Sequence, residues 1–247
     1  MKDAYGLYED FFGAERLRDW ARAAVTRQSL RRFTCPPDRA EWERVCYESG
    51  RLVLPDVRLV CGRCENSLFP KSLLNRFDRA ERYCMVCAKS GEEEALFGAG
   101  LSLAAFQLDL WQHGTASCVV DMPVRHTLSV PAGFRPVCLM ALGKVDPFPD
   151  RTAPLRRRRA MEKTCEELET YPAWARKAAA GLQIAPSRNN AQPWRLTFRD
   201  GELQLWTETD DSPDAGIAAL YTACALADTP HETSLFNDGP VAVFRKK

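Results

Sequence analysis

Near the start of the chain, Leu17, Trp20, Ala21, Ala24 and Val25 recur at helical spacing with arginines between them, which predicts a helix over residues 8–32. Residues 34–37 break it, because proline cannot continue a helix and pushes its predecessor into extended backbone. Asp38 is placed to cap a second helix over 39–50, with Trp42, Val45 and Cys46 on one face. Apolar and polar residues alternate over 57–61, predicting a strand, and 82–88 reads as another that ends at Lys89-Ser90-Gly91. A short helix is expected over 67–77. A long helix follows over 92–113, with Gly98, Gly100, Ala104 and Ala105 allowing close packing and Gly114 stopping it. Short apolar strands are expected at 116–120 and 137–142, with the loop 121–125 between them.

The stretch 146–154 is rich in Pro and Asp and is the natural seam between two halves. After it, 156–168 reads as charged helix and 172–182 as an Ala-rich helix. Residues 196–198 and 203–206 make a hairpin around Asp200-Gly201. A second small-residue helix covers 214–226, and 241–244 is a terminal strand. The helices 97–109 and 214–226 are loosely alike, each preceding sheet material. Helices and short strands interleave without a strict βαβ rhythm, which predicts an α+β fold.

Composition narrows the function classes. A chain of 247 residues with 45% hydrophobic content can bury a sizeable core. The formal net charge of +1 gives no global field to recruit nucleic acid or an anionic membrane. Met1 to Trp20 has no continuous apolar run and no stretch is long enough to span a bilayer, so a cytoplasmic protein without membrane partners is expected. The 10 cysteines then read as reduced thiols.

Two segments carry candidate chemistry. Arg27-Gln28-Ser29-Leu30-Arg31 ends the first predicted helix; Arg27 and Arg31, four apart, would share a helix face, and two guanidiniums plus a hydroxyl at a helix end would suit a phosphate or a ring carbonyl. The alternative is a pair of surface arginines favoured by the helix dipole. Residues 185–194, Ala-Pro-Ser-Arg-Asn-Asn-Ala-Gln-Pro-Trp, hold amides and hydroxyls on a proline-stiffened turn, as a ligand-cradling loop would; a rigid turn bearing a core Trp would look the same. The run Arg156 to Arg159 is the one dense basic block.

Ala185-Pro186-Ser187, Asn190 and Gln192-Pro193-Trp194 resemble the APS-x-x-N-x-QPW segment of the nitroreductase family. Arg27 to Phe33 resembles its opening R-x-S-x-R signature. Residues 98–118 resemble its central helix and following turn, and 137–144 its strand ending in leucine-glycine. The resemblance implies the FMN-dependent nitroreductase fold, with mixed, mostly antiparallel sheets flanked by helices. It departs from the family pattern in order: the two signatures stand about 150 residues apart, and neither has a twin in the other half. Such an order resembles a fused single-chain member. It implies half-domains 1–150 and 151–247, forming an internal pseudo-dimer that acts as a monomer and holds one FMN.

On that resemblance Arg27 and Ser29 hold the phosphate and ribityl chain, and Arg31 lies by the pyrimidine edge of the flavin. Pro186, Ser187 and Asn190 reach it from the other half. Arg156 and Arg158 complete the phosphate clamp, and Ser117, Cys118 and Val119 present backbone near the reactive edge. The implied reaction takes hydride from NAD(P)H and delivers it to a small acceptor, with no acid–base triad needed. His113, His126 and His231 are dispersed, in keeping with that. A reading of another class comes from Cys61, Cys64, Cys84 and Cys87, whose C-x2-C spacing matches a zinc ribbon. Against it, residues three apart on a strand face opposite sides, and Cys84 and Cys87 fall on a predicted strand.

Overall fold

The computed structural model describes residues 8, 10–63, 68–69, 77–121, 128–149, 158–208, 213–236 and 239–247. The predicted helix 67–77, the loop 121–125 and the end of the 146–154 seam fall wholly or mostly outside them.

The first half opens with α1 (Ala14–Thr26) and α2 (Arg39–Arg51). Asp38 caps α2 by accepting the Glu41 N–H at 2.9 Å. The strands β1 (Val57–Arg63) and β2 (Arg82–Ala88) come next, then α3 (Glu93–Gln112), β3 (Ala116–Asp121) and β4 (Arg135–Gly143). The second half holds α4 (Ala173–Ile184), the hairpin β5 (Trp194–Arg199) and β6 (Glu202–Thr207), α5 (Asp214–Ala225), and finally β7 (His231–Leu235) and β8 (Ala242–Lys246). Asp200 and Gly201 turn the hairpin with positive φ at both positions.

The strands form two four-stranded antiparallel sheets, ordered β1-β2-β4-β3 and β5-β6-β8-β7. The order is the same in each, and a buried helix, α3 or α5, joins the second strand to the third. Both helices are apolar all round and lie in the core, as such helices must. They pack together through glycines. A Cβ on Gly100 would overlap the Pro213 carbonyl oxygen and sit 3.2 Å from Ile217 N; one on Gly216 would overlap the Phe97 carbonyl oxygen and sit 2.6 Å from Leu101 N. Each residue in the first set maps onto the second by a shift of 116 positions. That reciprocity is the mark of an isologous contact about a local two-fold axis. The resemblance between 97–109 and 214–226 in sequence is thus a resemblance of position as well.

Three expectations are corrected. The helix predicted to reach residue 32 stops at Thr26, because Ser29 and Leu30 pair instead with Ser117 at the free edge of β3. The helix predicted over 156–168 is absent from its described part: two short 3-10 turns flank Cys165, which bridges Leu196 on the edge strand β5. In both places an unpaired sheet edge supplies backbone partners that outcompete helix. The strand β7 has no counterpart in the prediction, because His231-Glu232-Thr233-Ser234 lacks the apolar alternation that marks one.

Candidate functional site

Arg27 stands just past the end of α1 with extended backbone. From there to Arg31 the chain runs beside β3, and Leu30 N–H donates to the Ser117 carbonyl at 3.1 Å. Arg27, Ser29 and Arg31 therefore share a side by the two-residue period of extended chain, not by the helical spacing read from the sequence. Ser117 is held from beneath by Gln107 of α3, whose Nε2 donates to its Oγ at 3.1 Å, while Gln107 Oε1 is buried with no hydrogen-bond partner.

Arg27 is only 5% exposed. Its Nε donates to Tyr221 Oη at 2.6 Å and its Nη1 to Ser29 Oγ at 3.4 Å. Tyr221 belongs to α5, so this bond joins the halves. A second arginine enters from the same side. Arg158 Nη1 donates to the Ala185 carbonyl at 2.8 Å and to Asn190 Oδ1 at 2.9 Å, and its Nη2 to the Ile184 carbonyl at 3.3 Å. Burial, and after it the charge of Arg27, lowers the Arg158 pKa. Burial raises that of the Cys118 thiol, opposed by the charges of Arg31 and Arg27. Arg158 thus lies within electrostatic reach of Arg27, and Arg27 and Arg31 both within reach of Cys118. None of these arginines has a carboxylate partner among the described residues. Arg27 is buried, Arg158 half-buried and Arg31 exposed; holding the buried guanidinium beside a second like charge is costly unless an anion answers them. A bidentate donor set of this kind suits a phosphate.

The turn after α4 is braced from within. Asn189, Asn190 and Gln192 all have positive φ, a region asparagine tolerates and glutamine rarely adopts. Gln192 N–H donates to Ser187 Oγ at 2.8 Å, its Nε2 donates to the Asn190 carbonyl at 3.1 Å, and its Oε1 accepts the Arg159 N–H at 2.8 Å. Arg188 N–H donates to both carboxylate oxygens of Asp214, at 2.9 and 3.2 Å. Asp214 is buried in the first turn of α5, where the helix dipole favours an anion. The turn is thereby fixed against the helix that carries Tyr221.

The structure brings together Arg27, Ser29, Arg31, Ser117, Cys118, Arg158 and Asn190 from four separate stretches of the chain. Ser187 stands in the same turn with its oxygen engaged by Gln192, and Pro186 is half-buried beside it. Arg156 lies outside the described residues. Tyr221, Gln107 and Asp214 escaped the sequence reading. A lone Tyr in the small-residue run 215–225 was the available signal, since a buried tyrosine hydroxyl needs a partner. Cys61 faces Cys84 across β1 and β2, Cys87 pairs with Arg58, and Cys64 lies outside the described residues. Among the described residues no three His, Cys, Asp or Glu side chains gather as metal ligands. Also among them, no helix is long and apolar enough to cross a membrane.

Comparison with known proteins bears on the whole arrangement. The model of a family described as "Putative TM nitroreductase" matches residues 56–223. A crystal structure from Thermotoga maritima msb8, described in similar terms, superposes with a TM-score of 0.63 at 20% identity, covering 91% of this chain and 92% of that one. A nitroreductase family protein from Clostridium difficile 630 gives 0.42 at 17% identity, over 53% of this chain and 87% of its own. A nitroreductase with bound FMN from Desulfitobacterium hafniense DCB-2 gives 0.42 at 13%, over 57% and 97%. No curated protein matches the chain.

Proposed function

The chain belongs to the nitroreductase family, and from that premise we propose that it is an FMN-dependent oxidoreductase with one flavin site between its halves. The observation that carries this reading is the set Arg27, Arg31 and Arg158, gathered from both halves with no carboxylate to answer it among the described residues. The residues present fit the phosphate of FMN on chemistry and charge. Arg27 and Ser29 would hold the phosphate and ribityl chain, with Arg158 closing the clamp from the other half; Arg156 is assigned with it by resemblance. Arg31 would place a cation by the flavin's pyrimidine edge, where it stabilises negative charge on the reduced ring. Pro186, Ser187 and Asn190 would meet the flavin from the turn, and Ser117 and Cys118 from β3.

Bound there, FMN would supply the hydride chemistry, accepting from NAD(P)H and donating to a small acceptor such as a nitroaromatic, a quinone or a flavin. The protein's part is to bind, orient and set charge. The fused halves, 1–150 and 151–247, would serve as an internal pseudo-dimer in a single-chain enzyme of the cytoplasm, with no nucleic-acid or membrane partner required. Steady-state NAD(P)H oxidation by FMN-loaded protein, with a quinone or nitroaromatic as acceptor, tests this. Turnover with a ping-pong pattern is expected, because donor and acceptor use one site in succession. Protein that binds FMN and oxidises neither NADH nor NADPH with any such acceptor contradicts the enzymatic reading.

A further inference from the structure

The local two-fold between α3 and α5 gives each residue of one helix a counterpart in the other. By the shift of 116 that relates Gly100 to Gly216, the counterpart of Tyr221 is Ala105, which is fully buried. Helix packing is therefore satisfied by a methyl group at one of the two equivalent positions. The position that carries a phenol is the one that meets Arg27.

The hydroxyl has a definite task there. Tyr221 is 1% exposed, and its oxygen accepts from Arg27 Nε at 2.6 Å. Fixing Nε fixes the roll of the guanidinium about its stem. Nη1 is then turned to Ser29, and Nη2 has no hydrogen-bond partner among the described residues. The tyrosine's own proton also lacks an acceptor among them, with Arg27 and Arg158 as the nearby charges. The free Nη2 edge of Arg27 is thus left as a charged donor, and a phosphate oxygen matches it in charge as well as in hydrogen bonding.

We infer that Tyr221 is a positioning residue for phosphate recognition, locking Arg27 from the opposite half so that its free edge faces the phosphate of the flavin. The inference rests on the FMN reading above. It also accounts for a single site, since the equivalent position offers Ala105 and no lock.

The test is a set of dissociation constants for FMN and for riboflavin, read from quenching of flavin fluorescence on the full-length apoprotein. Wild type, Tyr221→Phe, Arg27→Ala and the double variant are compared. Wild type should bind FMN more tightly than riboflavin. Tyr221→Phe, which removes only an oxygen, should weaken FMN roughly tenfold or more and leave riboflavin unchanged. Added to Arg27→Ala it should cost nothing further, because the lock acts through that arginine. Equal loss for both flavins, or no loss, overturns the inference and marks the phenol as packing. Wild type that binds neither flavin instead overturns the FMN reading itself.

Discussion

A guanidinium that is 5% exposed, beside a second one and with no carboxylate partner among the described residues, is costly to build into an interior. Arg27 is the residue on which the site turns. Arg27→Ala should weaken FMN binding by about 1.5–3 kcal/mol, the range for a charged hydrogen bond, and unchanged affinity would sink its assignment to the phosphate. Sequence made Arg27, Ser29 and Arg31 legible as a set because their types suit an anion. Tyr221, Gln107 and Asp214 were not, since each acts through a partner on another element that only the fold brings to it. The cysteines make a separate residue-scale prediction. Burial pushes the Cys87 and Cys165 thiols up to about 11 from 9.0. The folded state keeps these protons after the unfolded chain has begun to lose them. Stability is therefore whole below about pH 9 and falls as pH rises towards about 11. Thermal melts of a Cys87→Ala/Cys165→Ala variant should fall less steeply over that window than those of the parent; parallel profiles would contradict the account.

At the scale of elements, helices and hairpins with strong local signals stood where the pattern put them. Asp38 caps α2, and Asp200-Gly201 turns β5 into β6. The misreadings share a cause. Residues 27–31 and 164–166 have helical composition, yet each pairs with the edge of a sheet that local sequence does not reveal. The polar strand β7 is likewise decided by its neighbour β8. The contact between α3 and α5 was half visible: small residues announced close packing, and nothing in the pattern named the partner. It yields a sharp expectation. Gly216→Ala drives a methyl into the Phe97 backbone, which cannot swing aside as a side chain can. Chemical denaturation should show a loss of about 1–3 kcal/mol or more. A denaturation midpoint equal to wild type would mean that the helices do not approach as described.

For the whole molecule, two sheets of one strand order meet through two helices of one packing geometry. Symmetry of scaffold does not extend to the site. The extended Arg27–Arg31 segment and α1 belong to the first half, whereas the braced turn after α4 belongs to the second. The corresponding connection between α2 and β1, Leu52 to Asp56, is only five residues long and lacks the serine and asparagines of 187–190. The separation of the two signatures by about 150 residues was legible in the sequence. What it lacked was the axis that returns them to one place, which arises from packing between distant helices. The claim that follows is one flavin per chain, and titration of the full-length apoprotein with FMN measures it directly. The binding curve should saturate at one equivalent per chain; saturation at two equivalents, or no binding at all, would contradict a single site built from both halves.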